Sequence, residues 1–347
     1  MHPPTEEVPD ERHPGTPRLL HVLNGDATAH KLRHSGVPGT LAVWADVLHE
    51  GPVPPDDSME EWLRVRARFI AGCGWASFEE ALRRHREWQS VLETFREYDE
   101  VVLWFEHDLF DQLLLVRHLD WFDRQEMNGT KLSLICIGSY PGVEDFVGLG
   151  QLSPDQLASL LDTRRPVTSR QTRLAREAWR AFTSPDPLRI ERLLRGDTSA
   201  LPFLEGALWR FLQEYPSVRG GLPRTERQLL EALAGGPLTP VALFHENQRR
   251  EERIFMGDST VWLRVRGLAG GPAPLAEMEV GEAGTQLPEG TVRLTPAGRA
   301  VLEGREDWVR LGGVDRWLGG VHLHGGEVRW RWDDASGGLV NADGATA

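Results

Sequence analysis

Lysine is nearly missing from this chain of 347 residues: only Lys31 and Lys131 occur, so arginine carries almost all of the positive charge. No Gly-Lys-Ser/Thr string exists anywhere, which excludes a P-loop phosphate cradle and its lysine. Cysteine is as scarce. Cys73 and Cys136 can build neither a disulfide framework nor a cysteine-rich zinc site. No apolar run approaches the roughly 20 residues that span a bilayer, so no membrane partner is expected. Residues 1–17, rich in Pro, Glu, Asp and His, lack the basic start and apolar stretch of a signal peptide. They read as a disordered leader, and the expected compartment is the cytoplasm. Excess positive charge is absent too: a net charge of −13 argues against broad adhesion to nucleic acid.

What is present suits a folded protein. Hydrophobic residues make up 40% and charged residues 26%, and thirteen tryptophans supply large apolar surfaces for a core. The length predicts two or three domains. Leu19 to Leu23 is a short apolar run ending in Asn24-Gly25-Asp26, followed by helical periodicity through Leu32 and a stop at Gly36 and Pro38. A second strand is predicted over Thr40 to Val47, ending in His49-Glu50-Gly51-Pro52. Helical pattern fills 59–98, with Ser77-x-x-Glu80 as a capping signal. A third strand, Glu100 to Phe105, is closed by Glu106-His107-Asp108 ahead of a helix to Asp123, and Lys131 to Ile137 is the fourth. Strands alternating with helices imply a mostly parallel sheet flanked by helices, a Rossmann-like α/β fold over 18–150. Ligands bind such sheets beyond the carboxyl ends of the strands, where all three polar clusters fall.

A helical region is expected over 151–220, with Arg164, Arg165, Arg170, Arg173 and Arg176 early in it; a solvated helix face is their default reading. Over 221–333 the order of elements predicts a winged-helix-like domain. Thr225-x-x-Gln228 reads as a cap for a first helix, Thr239-Pro240 opens a second and Gly257-Asp258-Ser259 a third. The Gly- and Pro-rich loop 267–290 lies between or before the wing strands, and Val292 to Leu294 runs into Thr295-Pro296. Arg316 to Leu323 and Val328 to Trp332 read as the two arms of a hairpin, and 334–347 as a disordered tail. Within that hairpin, His322 and His324 are spaced to share one side of a strand, where a metal site or a plain hairpin are the two readings.

The strings His21-Val22-Leu23-Asn24-Gly25-Asp26, Val43 to Pro52 and Leu103 to Gln112 resemble, in order, those of the bacterial domain of unknown function 1835. The resemblance covers roughly Leu19 to Ile137 and implies the fold and the place of the site; it carries no activity with it.

The candidate catalytic residues are His49, Glu106 and His107, because imidazoles and carboxylates at a strand end can move protons or hold a divalent metal. Candidate ligand-binding residues are Asn24, Gly25, Asp26, Glu50, Asp108, Asp111 and Gln112. Helix capping by Asp108 and dipole stabilisation of Asp111 compete with that reading. Alternation along a strand means that Glu106, His107 and Asp108 cannot all face one point. Gly138 to Gly142 reads as an ordinary turn. Two functions stay open. One is a hydrolase acting on a phosphorylated or nucleotide-like small molecule. The other is a ligand sensor whose C-terminal domain contacts DNA or a protein, with Arg249, Arg250, Arg253, Arg264 and Arg266 around the expected recognition helix.

Overall fold

The computed structural model describes residues 17–55, 58–281 and 287–342. Nearly all of the expected leader, part of the 267–290 loop and the last five residues of the expected tail lie outside the described residues. The chain begins with β1 (Leu19–Leu23), α1 (Asp26–Arg33), β2 (Thr40–Val43) and the two-residue β3 (Gly51–Pro52). Next come α2 (Met59–Gly72), α3 (Phe78–Glu93), β4 (Glu100–Glu106), α4 (Leu109–Asp123) and β5 (Lys131–Ile137). They are followed by α5 (Pro154–Leu160), β6 (Arg165–Pro166), α6 (Ser169–Phe182), α7 (Leu188–Leu194) and α8 (Leu204–Leu212).

A five-stranded sheet of order β2-β1-β4-β5-β6 organises this half. Its first four strands run parallel and β6 closes one edge antiparallel, so the fold is α/β with a mostly parallel sheet flanked by helices. Every residue of β4 is buried, as a strand covered on both faces must be. Leu20, Val22, Val101, Leu103 and Phe105 join the larger core with residues of α2, α3 and α4. Leu23, Val102, Trp104 and Ile135 join the other with Ala29 and Leu32 of α1 and Leu157 and Leu160 of α5. The period-two alternation along β1 and β4 thus feeds two separate apolar layers.

The remaining elements are α9 (Arg224–Ala234), α10 (Pro240–Gln248), α11 (Asp258–Ala269), β7 (Ala276–Val280), β8 (Gly290–Leu294), α12 (Pro296–Leu302) and α13 (Trp308–Gly312). Two antiparallel pairs close the chain, β9 (Val314–Gly319) with β10 (Val321–Gly325) and β11 (Trp330–Asp333) with β12 (Gly338–Asn341). The larger core draws residues from Leu20 through to Leu339, so the three expected regions share one apolar interior.

Several expectations are corrected. The second strand stops at Val43, not Val47, because Arg66 of α2 pulls the following loop into the interior. Its Nε and Nη2 each donate to the Asp46 carboxylate at 2.8 Å, and it also donates to the carbonyls of Val47, Glu50 and Pro52. A buried cation and carboxylate that meet in this way satisfy each other. His49-Glu50 therefore does not end a strand of the parallel sheet; it leads into β3, which pairs with β9. The region after Ser153 is not helical throughout, since β6 joins the sheet edge. Thr225 lies inside α9 rather than capping it, and its hydroxyl donates to Glu214 Oε1 at 2.6 Å. The 267–290 loop contains β7. The closing segment folds back on itself at Gly319-Gly320, where Gly319 adopts φ +58°, a turn conformation open to glycine. That makes two hairpins where one was expected, and the tail contributes β12 to the second.

Candidate functional site

The parallel strand order reverses between β1 and β4: the chain leaves β1 to place β2 on one side and returns to place β4 on the other. A crevice forms beyond the carboxyl ends of the strands at such a switch point. Asn24 follows β1 there and Glu106 ends β4. Asn24 Nδ2 donates to Glu106 Oε1 at 3.0 Å and to Asp111 Oδ2 at 2.9 Å, while Thr28 Oγ1 donates to Asn24 Oδ1 at 3.2 Å. Asp108 caps α4, its Oδ1 accepting the Asp111 amide at 3.0 Å. Asp111 Oδ1 accepts the Glu106 amide at 2.8 Å. One oxygen from each of Glu106, Asp108 and Asp111 falls within 4.8 Å of the others, and all three residues are buried.

Burial raises the pKa of all three carboxyls, and repulsion within the cluster adds to the rise at Glu106 and Asp111. Glu106 is pushed up to about 8, first by burial and then by the Asp108 charge. Burial lifts Asp108 to about 7 against the pull of the Asp111 and Phe110 amides and Arg253. Asp111 rises well above the carboxylate range through burial, Glu106 and Asp108. No guanidinium or ammonium is hydrogen-bonded or ion-paired to these carboxylates among the described residues. Arg253 comes nearest in effect, its Nη1 donating to the His107 carbonyl at 3.3 Å.

The expected residues divide between places. Asn24, Glu106, Asp108 and Asp111 converge. Gln112 supports them from the first turn of α4, its Nε2 donating to the Glu106 carbonyl at 2.5 Å while its Oε1 is buried without a partner. Gly25 is the N-cap residue of α1 without a side chain to offer, and Asp26 is exposed with no bond to the cluster. His107 points away from its neighbours, packed against Phe146 and Phe203 with its Nδ1 unpartnered. His49 is buried between Phe110 and Phe255, bonded through neither nitrogen. Burial, reinforced by Arg264, lowers its pKa to about 3 and favours the neutral imidazole, and neither ring nitrogen is hydrogen-bonded to the crevice carboxylates. Glu50 pairs with Arg264 of α11, whose Nε donates at 2.9 Å, and lies 3.7 Å from Arg316 of β9. Its carboxylate ties the two halves of the chain together rather than facing the crevice cluster.

Sequence reasoning missed the Gly148-Leu149 segment. The Leu149 amide donates to Glu106 Oε1 at 2.5 Å, and a Cβ on Gly148 would collide with the Glu106 carboxylate. The only available signal was the glycine-rich string Gly148-Leu149-Gly150. Arginines of the helical region are surface or edge ties: Arg164 to Glu100, Arg170 to Asp197 and Arg176 to Asp123. Tyr140 pairs with Val143 across a local bridge, as an ordinary turn would. No helix among the described residues is long and apolar enough to cross a membrane. No protein-family model matches the chain, and no curated protein matches it.

Proposed function

We propose that the carboxyl end of the parallel sheet is a divalent-cation site at which the protein hydrolyses a phosphorylated or nucleotide-like small molecule. The observation that carries this reading is the convergence of three buried carboxylates, Glu106, Asp108 and Asp111, with no cationic side chain among the described residues bonded to them. Three like charges out of water are costly unless protons or a cation offset them. Oxygen donors of this kind suit Mg²⁺ or Mn²⁺, and a cation there would polarise a phosphoryl oxygen and acidify a water. The chain's own residues supply the rest. Asn24 orients Glu106 and Asp111, Gly148 leaves room for the Glu106 carboxylate, and Arg253 stands beside the 107–108 loop, where it can meet an anionic group. A carboxylate of the three that the cation leaves free can accept a proton from the attacking water. The motif resemblance to domain 1835 agrees with this location and adds no chemistry to it.

The test is phosphate release from a panel of phosphomonoesters and nucleotides with Mg²⁺ or Mn²⁺, compared between the native protein and Asp111→Asn. Turnover that needs the cation and disappears in the variant is expected. No release from any member of the panel, with manganese affinity unaltered by the substitution, would sink the proposal.

A second reading, a ligand sensor, draws support from the C-terminal half. The order α9, a bridging residue Leu238 against Val292, α10, α11, then β7 and β8 supports a winged-helix-like reading. Its arginines are engaged within the chain. Arg253 reaches the His107 carbonyl, Arg264 reaches Glu50 and Arg266 reaches the Cys73 carbonyl, while Arg249 and Arg250 pair with Glu246. That favours docking on the α/β half over DNA contact, and no shift of a promoter-sized DNA fragment is expected even at low salt.

A further inference from the structure

The β9–β10 hairpin carries a second cluster of donors, far different in chemistry from the carboxylates of the sheet end. Along β10, Val321 and Leu323 face inward while His322 and His324 face out, and along β9 the buried Arg316 and Leu318 alternate with Asp315 and Trp317. The register sets His324 opposite Asp315 and His322 opposite Trp317. All four therefore stand on one outer face. His322 Nε2 lies 2.7 Å from Asp315 Oδ1, and His324 Nδ1 lies 3.8 Å from Asp315 Oδ2. One donor atom from each of the three residues falls within 4.8 Å of the others. The indole of Trp317 stacks flat on the His322 ring, centroids 4.4 Å apart and planes 2° from parallel. Beside them opens a groove of about 410 Å³, lined by both histidines together with Trp317, Glu327, Arg329 and Trp330.

We propose that Asp315, His322 and His324 form a binding site for a late first-row divalent ion of the zinc type, with the groove beside its open coordination position. Two imidazoles and one carboxylate match the donor set zinc takes when three protein ligands leave a fourth place for water or a small ligand. Donors bound about 2 Å from a common tetrahedral centre stand roughly 3.3 Å apart. Reaching that from the present separations takes only rotations of side chains at the surface. An exposed His–Asp contact contributes little to stability, and the hairpin is anchored from its other face by Arg316, Leu318, Val321 and Leu323. Fold stability therefore gives no account of why two imidazoles and a carboxylate meet here.

Calorimetric titration of the full chain with zinc chloride tests the proposal. With excess Mg²⁺ present to occupy the sheet-end carboxylates, one equivalent of zinc should bind, and His322→Ala or His324→Ala should each weaken that binding roughly tenfold or more. Metal-free thermal unfolding should stay unchanged in both, because neither side chain enters the core. Asp111→Asn should leave the zinc isotherm intact, which separates this site from the sheet-end carboxylates and lets either stand if the other fails. An isotherm unchanged in the His322→Ala/His324→Ala double variant would overturn it, as would zinc binding lost through Asp111→Asn alone.

Discussion

Two of the buried charge clusters among the described residues differ in their bookkeeping. At the junction of the halves, Glu50, Glu214, Glu226 and Glu251 interlock with Arg210, Arg264 and Arg316. There burial works against ionisation of Glu214, yet Arg210 and Arg316 hold it down at about 2, while Glu226 beside it is pushed up to about 7 by burial against the pull of Arg316. At the sheet end, Glu106, Asp108 and Asp111 have an amide side chain and backbone amides as partners and no bonded guanidinium. Burial beside bonded guanidinium groups suits a structural junction. Burial without them is what a bound cation would offset at the proposed site.

The contrast can be broken at either end. Removing one member of the matched cluster leaves its partners buried and uncompensated, so Glu214→Ala should cost about 3–5 kcal/mol in denaturant unfolding. A loss below about 1 kcal/mol would erase the distinction. At the sheet end the expected effect falls on binding. Asp111→Asn should weaken manganese at least roughly tenfold, about 1.4 kcal/mol, while the cation-free protein unfolds no more easily than the native one.

Acidity sharpens the same comparison. The folded-state values of Glu106 and Asp108, about 8 and about 7, lie above the unfolded values near 4. Between about pH 4 and 8 the native state therefore holds protons that the unfolded state has released. The contribution of these groups is fully present below that window and is lost as pH rises through it. In cation-free protein the melting temperature should fall from pH 5 to pH 8. Glu106→Gln should flatten that fall, and so should added Mn²⁺. A melting curve equally steep in pH for native and variant would show that the sheet-end carboxylates are not the source. The smallest change is expected at the surface, where Arg176→Ala, losing its pair with Asp123, should shift stability by under about 1 kcal/mol.

Much of the site's location was legible in the chain. Apolar runs ending in Asn24-Gly25-Asp26 and Glu106-His107-Asp108 marked strands whose carboxyl ends carry polar groups, and both prove to flank the switch point. Local rules then misjudged individual residues. Asp108 does cap α4, as its position required, but capping does not exempt it from the cluster. Asp111 looked like a charge placed to favour a helix N-terminus, and it instead bridges Asn24 and the Glu106 amide. His49 read as a strand-end imidazole able to move protons or hold a metal. Nothing local revealed that Arg66, a cation on the inner face of α2, would draw that loop inside and leave His49 neutral between two phenyl rings.

The sequence by itself determined most of the strands and helices of the α/β half, because hydrophobic period and turn residues act over a few neighbours, and it determined two of the three strand ends read as carrying polar groups. Only the tertiary structure decided which polar groups meet. Glu50 lies 214 residues from Arg264 and 266 residues from Arg316, and Leu149 lies 43 residues from Glu106. Pairing across such separations depends on which buried charge finds a partner when the layers close, and that choice is made by desolvation in three dimensions rather than by spacing along the chain.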